Sequence, residues 1–108
     1  MERTLNELGV QKIGQRLVDS IGHAAYTLNG TPKTADVFKR VAQRSTARIY
    51  IYFNDTVEGE IANVQLVDTD GDVIAEIGKT FTKPRSKGLY VAFKYDIKEV
   101  EVEADESI

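Results

Sequence analysis

A mainly β chain, an antiparallel β-sandwich or small barrel of six to seven strands preceded by one N-terminal amphipathic helix, is what this 108-residue sequence predicts. The first observation behind it is a set of short stretches rich in β-branched and aromatic residues, punctuated by turn signals. The second is a pair of hairpin dipeptides, Asn29-Gly30 and Asp70-Gly71, each between alternating arms. The third is an amphipathic helical pattern in the first 22 residues, ahead of these stretches. The length suits a single domain over 1–108, divided into a helix at 4–22, a β region at 23–103 and an acidic tail at 104–108.

In the helix, Thr4-Leu5-Asn6-Glu7 has the form of a capping box starting at Thr4, and Gly22 supplies the stop. Val10, Ile13, Leu17, Val18 and Ile21 recur at helical spacing, with Gln11, Lys12, Gln15, Arg16 and Asp19 opposite. Gly9 and Gly14 each cost about 1 kcal/mol relative to Ala, so the helix depends on docking against something. His23 to Leu28 then leads into the Asn29-Gly30 turn. Thr34 to Gln43 fits a helical stripe or a return strand, and the closeness of the turn favours the strand.

Arg48 to Phe53 is a strand with Ile49, Ile51 and Phe53 on one face. Val57 to Asp68 is the next, with Gly59 marking an irregularity. A type I′ turn at Asp70-Gly71 pairs Thr69 with Asp72 and places Val64, Leu66, Val73, Ala75 and Ile77 on one side of a hairpin that runs on to Thr82. Lys83 to Gly88 is a loop. Leu89 to Ile97 is the last long strand, and a phase break before Val100 and Val102 implies a bulge or a fresh short strand.

Cysteine is absent, which excludes a disulfide framework and thiolate metal sites. No basic-then-apolar leader opens the chain and no apolar run nears the roughly 20 residues of a membrane helix, so cytoplasmic synthesis without membrane insertion is expected. The net charge of −3 is split: residues 1–54 hold eight Lys/Arg against four Asp/Glu, and residues 55–108 hold six against thirteen. The acidic half argues against a nucleic-acid partner and allows association of like copies through opposite charges.

The chemistry-bearing residues read mostly as structure. Asp68, Asp70 and Asp72 resemble a calcium loop in composition, but the glycine comes too early for one, and turn formation explains them without a metal. His23, the only histidine, lacks a triad-like setting and sits where it would face the helix dipole. No catalytic, cofactor or metal residue is therefore assigned, and an enzyme is not expected. Arg48, Tyr50 and Tyr52 share one strand face, and Tyr90, Ala92 and Lys94 another. Such aromatics interleaved with cations suit nucleic-acid bases, sugars or protein, unless the helix covers them. Lys83, Arg85 and Lys87 form a basic loop, most simply a solvated turn, that is a candidate for an anion or for the acidic C-terminus of another copy.

The order of Phe53-Asn54-Asp55-Thr56-Val57-Glu58-Gly59, Val64-Gln65-Leu66-Val67-Asp68 and Lys87-Gly88-Leu89-Tyr90-Val91-Ala92-Phe93-Lys94-Tyr95 resembles small structural proteins of tailed phages and of prophages of Gram-positive bacteria. The resemblance spans about residues 24–96 and leaves out the helix. It implies a virion-associated tail or baseplate role built by repetition of subunits, with protein partners, a homo-oligomer and no catalytic residues. The alternative from the residues themselves is a small ligand- or carbohydrate-binding module using the tyrosine face.

Overall fold

A computed structural model describes residues 4–100. The helix α1 (Glu7–Ser20) passes into β1 (Ile21–Leu28) with no connecting turn. Then come β2 (Thr31–Ala35), β3 (Lys39–Gln43), β4 (Thr46–Phe53), β5 (Gly59–Asp68), β6 (Val73–Ile77), β7 (Phe81–Lys83) and β8 (Leu89–Asp96). The larger antiparallel sheet runs β2-β1-β5-β6, with β7 continuing on the β5 edge beyond β6, and the smaller runs β3-β4-β8. The two enclose one core in a sandwich that does not close into a barrel.

The helix begins later than the capping box suggests. Asn6 is the N-cap, its side chain accepting the Gly9 amide at 2.8 Å, while the amide and hydroxyl of Thr4 donate to the Glu99 carboxylate. Asn6 serves because its oxygen reaches the third amide of the first turn. At the other end Ile21, not Gly22, ends the helix in an extended conformation (φ −74°, ψ 124°). The last carbonyls find partners elsewhere. Arg40 donates from Nη1 to the Val18 and Ile21 oxygens at 2.5 and 2.7 Å, and the Thr69 amide donates to Ser20 at 2.9 Å. A guanidinium from β3 thus takes the place at the helix dipole that His23 was expected to hold; His23 lies in β1 opposite Val67. Val18 is buried, whereas Ile13 is exposed. Gly14 lies against the smaller sheet, where a Cβ would stand 3.2 Å from Ile97 Cδ1 and 3.6 Å from Ala47 Cβ.

Asn29 and Gly30, with φ of +50° and +83°, make the expected two-residue turn and pair Leu28 with Thr31. Thr34–Gln43 is strand at both ends, yet in two different sheets: Asp36-Val37-Phe38 carries the chain from β2 across to β3.

The β5-β6 hairpin keeps its outer register, Val64 with Ile77, Gln65 with Glu76 and Leu66 with Ala75, and departs nearer the turn. Val67 pairs with Val73, leaving Ile74 as an extra residue. The loop is three residues, Thr69-Asp70-Gly71, because the Asp68 carboxylate accepts the Asp70 and Asp72 amides at 3.0 and 2.9 Å and the Gly71 amide returns to the Asp68 carbonyl. Only Gly71 has positive φ (+88°), as a type I turn with a glycine bulge requires, so the expected type I′ turn is not formed. Val73 is consequently turned out to solvent.

A bulge in β5 adjusts its phase. Asn63 takes φ +54°, and the buried positions step from Ile61 to Val64 and then to Leu66. Gly78, Lys79 and Thr80 divide the expected run from Val73 to Thr82 into β6 and β7. After β8, Ile97–Val100 form no strand, and the segment around Val102 and the tail at 104–108 lie outside the described residues.

The core joins both sheets: Ile49, Ile51 and Phe53 of β4 meet Ile61, Val64 and Leu66 of β5, and Tyr26 packs edge-on to Phe53 with centroids 4.8 Å apart. Arg40→Met is expected to lower stability by about 1–2 kcal/mol in chemical denaturation, since it strips a charged donor from the helix end. Burial also raises the Tyr26 hydroxyl above its ordinary pKa of 10.0, and Tyr95 shifts the same way. Near and above that value the unfolded chain releases a proton that the folded chain retains. The associated stability is therefore complete below about pH 10 and falls as pH rises further. Thermal melts should show a flat Tm to about pH 9 and a decline above it, made shallower by Tyr26→Phe.

Candidate binding face and open strand edge

In the smaller sheet Ala47, Ile49, Ile51 and Phe53 point into the core, so Arg48, Tyr50 and Tyr52 point out. The register sets Arg48 opposite Lys94, Tyr50 opposite Ala92 and Tyr52 opposite Tyr90. On the other side of β4, Lys39 pairs with Tyr50 and Val41 with Arg48. The outer face is therefore a grid of three rows. Phe38, Tyr52 and Tyr90 occupy one end, Lys39, Tyr50 and Ala92 the middle, and Val41, Arg48 and Lys94 the row beyond.

The helix does not cover this face. It packs on β3 and β4 from the Ala47 side, which is the inner one. The tyrosines expected either under the helix or free are free: Tyr90 is 59 % exposed, Phe38 56 % and Tyr52 36 %, with Tyr50 half-buried. The rings at the aromatic end support one another. Tyr52 and Tyr90 lie 4.5 Å apart at 34°, and Phe38 stands 5.5 Å from each. Two backbone features fix the cluster. The Phe38 amide donates to Tyr50 O at 2.8 Å, and Gly88 lies against the Tyr52 ring, where any Cβ would collide with the phenol.

Charge on the three rows of the grid has one sign. Lys39, Arg48 and Lys94 are exposed and take part in no ion pair among the described residues. The next row brings the one carboxylate, Asp96, which accepts from the Ser45 hydroxyl at 2.8 Å and lies 3.8 Å from Lys98. Phe38 and Lys39 were not identifiable as members of this face until the crossover between β2 and β3 was known. The alternation of Lys39 and Val41 was the available signal.

Of the basic loop, Lys83 is a correction. It is 2 % exposed, at the end of β7, and its Nζ donates to the carbonyls of Val57 at 2.6 Å and Pro84 at 3.1 Å. It ties loops together internally and is not a surface contact. Arg85 and Lys87 remain exposed, and Lys87 adjoins Gly88 at the aromatic end of the face.

The backbone of β8 presents a second feature. Among the described residues its one hydrogen-bonded neighbour is β4. The Ile97 amide donates to Ser45 O at 2.7 Å, one step past the Thr46–Asp96 pair, so the hydrogen-bonded positions of this ladder are the odd-numbered residues of β8. The N–H and C=O groups of Tyr90, Ala92 and Lys94 therefore point to the open edge. At eight residues, β8 is longer than the other strands at sheet edges. By contrast β2 is five residues carrying Pro32 and Lys33, and β7 is three.

The three aspartates at the β5-β6 turn bring carboxylate oxygens within 4.8 Å of one another, but Asp68 already accepts two turn amides. Of the three carboxylates it is that of Asp68 that closes the loop. A cleft of about 400 Å³ between the start of the helix and the segment after β8 is lined by Leu5, Val10, Arg44, Asp96 and Glu99. No helix among the described residues is long and apolar enough to cross a membrane. Comparison with protein-family models, with curated proteins and with solved structures finds no match.

Removing Lys83 leaves two carbonyls without their shared donor. Lys83→Ala is expected to cost about 2 kcal/mol or more in urea unfolding, against less than about 0.5 kcal/mol for Arg85→Ala.

Proposed function

We propose that this chain is a non-enzymatic assembly subunit that joins a second copy of itself by antiparallel pairing of β8 across its open edge. The observation that carries this reading is the outward-facing row of amides and carbonyls on Tyr90, Ala92 and Lys94, in the longest edge strand of the fold. An unguarded edge of this length is a template for another strand.

The strand is complementary to itself when Ala92 faces the partner's Ala92 across a two-fold axis. Tyr90 then opposes the partner's Lys94, a ring against a cation, and Val91 opposes the partner's Phe93 on the inner side. No like charges meet. Shifting the axis to Phe93 would bring the two Lys94 side chains into diagonal contact, which disfavours that register. The Ala92-centred pairing adds about six backbone hydrogen bonds and merges two three-stranded sheets into one of six. Opposed residues in such a ladder share a side, so the two outer faces become continuous.

Assembly by repetition of one subunit fits the resemblance to virion-associated proteins, and a tail or baseplate assembly of a phage or prophage is the setting we assign. Ala92→Pro removes an outward amide that β4 does not use and obstructs the pairing. Sedimentation should find the parent chain dimeric or larger and the Ala92→Pro variant monomeric with an unchanged circular dichroism spectrum. The dissociation constant should rise at least tenfold, about 1.4 kcal/mol. A parent chain that stays monomeric at every concentration overturns the proposal.

A further inference from the structure

The side chains of the outer face, as distinct from the backbone edge of β8, point to a ligand of their own. We infer that this face binds single-stranded nucleic acid, its rings stacking bases and its cations holding phosphates.

Four aromatic rings and three cations share one face of a three-stranded sheet: Phe38, Tyr50, Tyr52 and Tyr90 with Lys39, Arg48 and Lys94. The three outermost rings expose much of their surface although the core is within reach of the same strands, and their mutual contacts at 4.5 to 5.5 Å hold them at set tilts. A preset aromatic platform loses little side-chain freedom on binding a flat ligand. The cations follow in the next two rows, unpaired among the described residues, and the first carboxylate comes only with Asp96 at the far end.

This combination selects among ligands. A neutral sugar would stack on the rings and leave Lys39, Arg48 and Lys94 unused. An acidic peptide would meet the cations and leave the rings without flat partners. A duplex offers phosphates but keeps its bases stacked on one another. A single strand supplies unstacked bases and phosphates together, as sheet surfaces that bind two or three bases do. The net acidity of the whole chain argues against nucleic acid, but attraction at short range is set by the charges on the contacting face, and at physiological salt charges farther than about 8 Å are largely screened.

Pairing through β8 would place two such faces side by side, yet the site is complete within one copy. The test uses the full-length chain and fluorescein-labelled dT12 and rU12, followed by anisotropy at low salt. Both oligonucleotides are expected to bind, the ratio between them reporting DNA against RNA preference, with affinity falling as salt rises. Tyr90→Ala and Tyr52→Ala should each weaken binding about tenfold, and Arg48→Ala with Lys94→Ala should weaken it and flatten the salt dependence. Lys12→Ala with Arg16→Ala, on the exposed side of the helix, should change nothing. The chain contains five tyrosines and no tryptophan, so unlabelled dT12 should quench its intrinsic fluorescence through stacking, and polyglutamate should not. This readout needs no variant and stands if a substitution impairs folding. Binding per chain should be the same above and below the protein concentration at which the chain dissociates, which separates this site from the edge pairing. Absence of binding, equal binding of a 12-base-pair duplex or polyglutamate, or equal loss in the helix variant overturns the inference.

Discussion

The arrangement depends on the point where the helix becomes a strand without a turn. Ser20 ends α1 and Ile21 begins β1, so the helix axis and the first strand of the larger sheet share one covalent joint. Such an end leaves several carbonyls without helical partners, and each must find one. Arg40 reaches two of them from β3, in the other sheet, and Thr69 reaches a third from the β5-β6 turn. One helix terminus is thereby fastened to both layers of the sandwich. The helix is held on the inner side of the smaller sheet, with Gly14 allowing close approach at Ala47, and among the described residues no element covers the outer side.

That bareness gives the surface its character. Strand alternation alone would put Arg48, Tyr50 and Tyr52 opposite the core, but only the placement of the helix decides whether they meet solvent or protein. The rows of β3 and β8 then complete the grid by register. The same topology leaves β8, among the described residues, with a neighbour on one side, so the backbone edge and the side-chain face are two separate surfaces.

Much of this was legible from local chemistry. Asn29-Gly30 specifies its turn because both residues accept left-handed conformations, and the outward set Arg48, Tyr50, Tyr52 and Tyr90 follows from period-two alternation. Asp70-Gly71 was half legible. Apolar patterning fixes the outer pairs of that hairpin, but Asp68 competes for the turn amides and widens the loop by one residue. The turn at Arg44-Ser45 has no glycine or proline to announce it, and Arg44 accepts φ +54° because β3 and β4 pair on either side. Asn63 hides a bulge inside what reads as a continuous strand. Lys83 could not be read as buried, because the carbonyls that satisfy it belong to Val57 and Pro84 and are brought together only by the fold.

The proposed pairing requires the outer edge of β8, which has no strand neighbour among the described residues, to be filled by a second copy. Residue-resolved amide hydrogen exchange tests it directly, because neighbouring residues of one strand must behave differently. Val91, Phe93 and Tyr95, bonded to β4, are expected to be protected at all concentrations. Tyr90, Ala92 and Lys94 should be protected in concentrated protein and lose that protection on dilution below the dissociation constant. Rapid exchange at Tyr90, Ala92 and Lys94 over the whole concentration range would contradict the account.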